Sequence, residues 1–172
     1  MEVLEDILSM CRFRVEVYAE WEIFTPCGIS VPESTTAKFR AVRAGECWIR
    51  LGGRLVRVKT GDFVLVPHGD AHDVLCSPEI KPMTLEDAKA LASPAEGRVM
   101  RLPASGPRNE LITAFICGGC YFGNRAHKSL FSFLPKLIHV HSEDAAELKL
   151  VLDWQNRSLT SRGRLPRLSS PG

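Results

Sequence analysis

The sequence predicts one mainly β domain, an antiparallel sandwich or barrel, with a short helix before it and another after it. Short apolar or alternating runs recur at tight spacing from about residue 14 to residue 76, each cut by Gly, Pro or Asp. Such spacing is the mark of strands that fold back on one another. Helical spacing of apolar residues is prominent only near the two ends.

The first element is a helix over residues 3–11, where Leu4, Ile7, Leu8 and Cys11 fall on one face. Val15, Val17 and Ala19 then alternate with polar neighbours, as a half-buried strand requires, until Pro26-Cys27-Gly28 breaks the run. A short strand over Lys38–Arg43 is expected to end at Ala44-Gly45. Two strands over 47–51 and 54–59, joined by Gly52-Gly53, predict a hairpin, because a primed turn needs positive φ at both central residues. Phe63–Val66 is a continuous apolar run, short enough for a strand buried on both faces, and Pro67 ends it. His68-Gly69-Asp70-Ala71 turns the chain back, and His72–Leu75 begins the next strand.

Residues 76–108 are a proline-rich excursion expected on the surface, with a small helix beginning at Thr84 and capped with Asp87. Leu111–Cys117 returns to strand, and Ser129–His141 is apolar but interrupted by Pro135. Ser142-Glu143-Asp144 is a helix start, with a cap and acids in the first turn, and Leu148, Val151, Leu152 and Leu159 continue on one stripe. The domain is therefore drawn over residues 1–155, and 156–172, rich in Ser, Arg, Pro and Gly, is read as a disordered basic tail.

Composition narrows the function. The 172 residues suffice for one domain with a core, and a net charge of +2 makes nucleic acid a poor default partner. No stretch approaches the roughly 18 apolar residues of a membrane span, and the acidic start does not resemble a secretory signal. The six cysteines are mostly scattered singly among apolar residues, so free buried thiols in a cytoplasmic protein are expected.

Gly61-x5-Pro67-x-Gly69-x2-His72 is similar to the second signature motif of the cupins, in which glycines and a proline shape the turns around a buried strand and a histidine points into the barrel. With residues 39–53, 111–123 and 134–140 in that order, the chain resembles the cupin-like N-terminal domain of AraC-type transcription regulators over roughly residues 2–155. The resemblance implies a jelly-roll barrel that binds a small-molecule effector and forms a homodimer, the stripe from Leu148 being the natural seam. It also implies a separate DNA-binding half with two helix-turn-helix units. Nothing in the sequence before Gly172 reads as such units, so specific DNA binding by this chain alone is not expected.

The position after Phe39, often histidine in that group, is Arg40 here, and the histidine and glutamate ligands of the first cupin motif are missing. Arg40, His72 and Cys117 are the expected ligand-binding residues. A buried guanidinium beside an imidazole would suit an anionic effector, although strand alternation alone leaves open which face Arg40 takes. The runner-up is a free-standing metal-dependent cupin enzyme, with Zn or another divalent metal held by His72 and Cys117 and completed from Cys120, His68 or His127. A fixed cation at Arg40 opposes it electrostatically. Cys117-Gly118-Gly119-Cys120 is a lone CxxC with no second pair and no helix after it, a poor zinc ribbon and a poor redox motif. No nucleophile–base–orienter set is present, so no other catalysis is expected. Trp21 and Trp48 are read as packing residues. Arg157, Arg162, Arg164 and Arg167 are read as a solvated tail.

Overall fold

A computed structural model of the chain describes residues 14–95, 97–103, 110–121 and 132–143. The expected helix over 3–11, the helix continuing past Glu143, and the basic tail lie outside those residues. Within them the chain forms eleven strands and one short helix. The strands are β1 (Arg14–Ile23), β2 (Gly28–Val31), β3 (Ala37–Leu51), β4 (Arg54–Lys59), β5 (Phe63–Val66), β6 (His72–Leu75) and β7 (Met83–Thr84). The helix α1 (Leu85–Leu91) is followed by β8 (Ser93–Pro94), β9 (Val99–Leu102), β10 (Thr113–Tyr121) and β11 (Ile138–Val140).

One strand organises the rest. The sequence suggests a break at Ala44-Gly45, yet β3 runs unbroken through fifteen residues. Its first part pairs with β10 and β5, and its second part with β4 and β6. Gly45 marks the change of neighbours. Its φ is +69°, and a Cβ there would lie 2.0 Å from the Ile112 carbonyl oxygen, so the glycine lets β10 approach where β3 changes sheets. The result is a curled sheet in the order β7-β2-β6-β3-β10-β1-β9-β8, with β4, β5 and β11 branching from it.

Most of the pairing is antiparallel, as expected, but two pairs are parallel: β1 with β9 and β2 with β7. Both come from residues 76–108, expected as a surface excursion. The segment instead adds strands to the sheet's edges, and composition alone gives no sign of that because each strand is only two to four residues long. The helix behaves as its cap signals predict. Thr84 Oγ1 accepts from the Asp87 amide at 3.0 Å and donates to the Asp87 carboxylate at 2.7 Å. The Gly52-Gly53 hairpin also forms as expected, with both glycines at positive φ.

Two hydrophobic clusters fill the fold. The larger contains Trp21, Ile23, Ile29, Val42, Ile49, Val58, Val64 and Phe115. The smaller, around Ala37, Phe39 and Cys120, takes in Phe63 and Leu65, with the Phe39 and Phe63 rings stacked at 5.8 Å. Period-two alternation on β3 separates them: Ala37 and Phe39 point to the small cluster, and Val42 to the large one.

Candidate functional site

A cavity of about 410 Å³ opens between the curled sheet and α1. Its apolar wall comes from Trp21 on β1, Ile29 and Val31 on β2, Val74 on β6, Met100 on β9 and Phe115 on β10. Leu85 and Lys89, one helical turn apart on α1, close one side. Lys38 and Arg40, two residues apart on β3 and so on one face, supply its floor, with Cys117 and Gly118 of β10 beside them. Trp21, expected as packing, both packs in the core and faces the cavity.

Arg40 is thus inward. It is 6% exposed. Its Nη1 donates to the Phe39 carbonyl oxygen at 3.0 Å, while its Nε has no partner among the described residues. Burial pushes the guanidinium below its ordinary pKa, and the groups that pull it back toward charge are the Cys117 and Cys47 thiols, with no carboxylate among them. Lys38 is likewise lowered, by burial and then by Arg40, and its ammonium lies 4.9 Å from the centre of the Tyr18 ring. A cavity floored by two crowded cations and walled by apolar side chains favours an occupant with a negative head and an apolar body.

His72 lies beside this wall, outside the lining itself. It is 4% exposed and lies on the same face of β6 as Val74, which lines the cavity, but its own ring is not part of the lining. Its Nδ1 lies 2.8 Å from the Asp70 carbonyl oxygen, to which it donates in the neutral ring, and Nε2 is buried without a partner. Burial first, and Arg40 second, lower its pKa to about 4, so the ring is neutral at physiological pH. Gly69 makes this placement possible. At φ +71° it brings the turn within 2.1 Å, measured from a Cβ built on it, of the Ser34 carbonyl oxygen. The structure therefore brings Arg40 and Cys117 together in the cavity wall and leaves His72 out of the lining, buried on the face of β6 that Val74 shares.

The interior donor set fits a divalent cation poorly. Arg40 faces Cys117 across the β3–β10 ladder, and a buried guanidinium beside a thiol repels any cation at that thiol. Of the residues that could complete a set, Cys120 belongs to the other cluster and His68 Nε2 is 3.0 Å from the Leu134 carbonyl oxygen, while His127 lies outside the described residues. The CxxC is split in the same way. Cys117 packs against the large cluster and Cys120 in the small one, because residues three apart on a strand face opposite ways.

The polar cavity residues that sequence reasoning missed are Lys38, Lys89 and Tyr18, beside most of the apolar lining. Lys38 carried a usable signal, since any residue two before an inward Arg40 must also be inward. Lys89 did not, because nothing local places α1 over the cavity.

A family model described as cupin matches residues 2–161. The chain is a cupin. It is 26% identical over 166 residues to a protein of Streptomyces lividans described as an AraC-like transcription regulator. The match takes in 94% of this cupin and 52% of the relative, so the cupin spans about half the length of the relative it matches. Among the described residues, no helix of this cupin is long and apolar enough to cross a membrane.

Proposed function

We propose that this cupin is the effector-binding domain of an AraC-type regulatory system and takes a small anionic ligand, most simply a carboxylate on an apolar body. The observation that carries this reading is the buried guanidinium of Arg40, set beside Lys38 in the wall of a largely apolar cavity with no acidic partner among the described residues. An isolated buried charge is costly, and a ligand anion relieves that cost by pairing with it. Similarity to half of an AraC-like regulator supports a sensing role over a catalytic one. Dimerisation through the stripe of Leu148, Val151 and Leu152 belongs to the same proposal, and Leu148→Glu with Leu152→Glu should then shift the mass measured by light scattering toward monomer.

The experiment is calorimetry of the purified chain with a series of apolar carboxylates and their matched alcohols and amines. The carboxylates should bind with one site per chain, the neutral and cationic analogues at least tenfold more weakly. Equal binding of all three classes, or none, would overturn the reading. A metal-dependent cupin enzyme is the competing class, and elemental analysis showing a stoichiometric metal that is lost in His72→Ala would favour it.

A further inference from the structure

We infer that Asp62, His139 and His141 form a binding site for one zinc-class divalent cation, outside the cavity, where β11 closes onto β5. Antiparallel pairing sets His139 opposite Val64 and Val140 opposite Phe63, which brings β11 alongside the turn that holds Asp62. His139 and His141 are two apart, and their rings come together with centroids 4.0 Å apart. Both aim at the same carboxylate oxygen: His139 Nε2 is 2.9 Å from Asp62 Oδ2, and His141 Nδ1 is 3.9 Å from it. One ligand atom from each of the three lies within 4.8 Å of the others.

The carboxylate is held before any ion arrives. Asp62 Oδ2 accepts the Lys59 amide at 3.0 Å, and Oδ1 accepts the Ser142 amide at 2.9 Å. Backbone donors of this kind fix the orientation of a ligating carboxylate from the outer shell. Ligands at zinc's usual distances of about 2.0–2.2 Å stand roughly 3.4 Å apart in a tetrahedron. The two separations from Asp62 Oδ2, 2.9 Å and 3.9 Å, lie on either side of that, and the three ligand atoms all lie within 4.8 Å of one another, so side-chain shifts without backbone rearrangement would seat an ion. His139 would exchange its hydrogen bond to Oδ2 for a metal bond, its proton moving to Nδ1 through solvent. Water would take the fourth position from the open side, since the His141 side chain is 62% exposed.

The simpler account of these residues is a latch, in which His139 donates to Asp62 and fastens β11 to the turn. That account leaves His141 without a role: its ring lies against that of His139 with the planes tilted by 45° and makes no hydrogen bond among the described residues. Two imidazoles and a carboxylate are borderline donors that suit zinc, cobalt or nickel and do not suit calcium or magnesium.

The test uses the full chain without a histidine tag, stripped with chelator. Zinc chloride titrated by calorimetry should bind one ion per chain, and cobalt should give tetrahedral d–d absorption without thiolate charge-transfer bands. His141→Ala, at an exposed position that tolerates truncation, should weaken zinc at least tenfold, and Asp62→Asn should do the same. His72→Ala and Cys117→Ala should leave zinc binding unchanged. Absence of saturable one-to-one binding, undiminished affinity in His141→Ala, or loss of zinc in Cys117→Ala would overturn the inference.

Discussion

Arg40 on β3 stands directly opposite Cys117 on β10, and both side chains face the cavity. A thiol is a weak partner for a guanidinium, and the pairing leaves Arg40 with a charge that nothing in the described protein neutralises. The cupin thus holds an unmet electrostatic demand in its interior, and the first prediction tests it.

Arg40→Met should remove the charge while keeping most of the volume. Removing a buried charge that has no acidic partner relieves its desolvation cost, so stability should stay level or rise. Affinity for an anionic ligand should fall by about 1.5–3 kcal/mol, the contribution of a charged hydrogen bond. Urea denaturation and calorimetry on the same variant read the two effects separately. A variant that loses stability and keeps its affinity would show that Arg40 serves the fold alone.

Cys76 should be the most reactive thiol among the described cysteines, all five of which are free. The contact with the Cys27 thiol, across the β2–β6 pairing, lowers the Cys76 thiol below its ordinary pKa despite partial burial. The same contact, with burial, raises Cys27, and burial raises Cys47 to about 12 and Cys120 to about 11. Iodoacetamide labelling followed by mass spectrometry should therefore modify Cys76 first, with a rate that rises at lower pH than for an ordinary thiol. In Cys27→Ala the midpoint should move up toward an ordinary thiol.

Gly69→Ala should be costly. The new methyl would sit 2.1 Å from the Ser34 carbonyl oxygen and 2.7 Å from that of Thr36, both backbone atoms that cannot swing away. Strain of this kind, added to the positive φ, should cost at least about 2 kcal/mol. Gly53→Ala is the control. Its φ is +80° but nothing lies within 4 Å, so only the left-handed penalty of roughly 1–2 kcal/mol applies. Urea midpoints that shift equally in the two variants would show that the Gly69 turn relaxes more freely than its contacts suggest.

The strands around the cupin motif were legible because their signals are local. Gly52-Gly53 dictates its hairpin, Pro67 ends β5, and Thr84 with Asp87 starts α1. The site was only partly legible. Alternation could not choose a face for Arg40, because β3 is buried on both sides there: Phe39 packs in one cluster while Arg40 lines the cavity. The motif placed His72 inward but could not say that Val74, two residues on along the same face, would line the cavity while His72 would not. His139 and His141 were visible only as a pair two apart. Their convergence on Asp62 depends on β11 pairing with β5 across more than seventy residues of chain. The parallel edges contributed by residues 76–108 have the same character, being long-range pairings of very short strands.

The last prediction concerns the opening of the fold in acid. The unfolded chain takes up a proton on His72 near the ordinary pKa of about 6.5. In the folded cupin, burial and Arg40 hold that pKa down to about 4. Between these values the unfolded state binds more protons, so stability is full above about pH 6.5 and falls as the pH drops toward 4. A depression of this size is worth about 3 kcal/mol at most. Asp62, whose pKa is lowered because the Lys59 and Ser142 amides and His139 together outweigh its burial, loses its contribution at lower pH still. Urea unfolding at pH 7.5 and pH 4.5 should show the wild type weakened between the two, and His72→Gln should flatten the difference. An anion paired with Arg40 would remove the second cause of the depression. The liganded protein should then hold its His72 proton to higher pH, and by linkage the ligand should bind more tightly at pH 5 than at pH 8. Calorimetric affinities that do not change across that range would show that the ligand charge and His72 do not sense each other through Arg40.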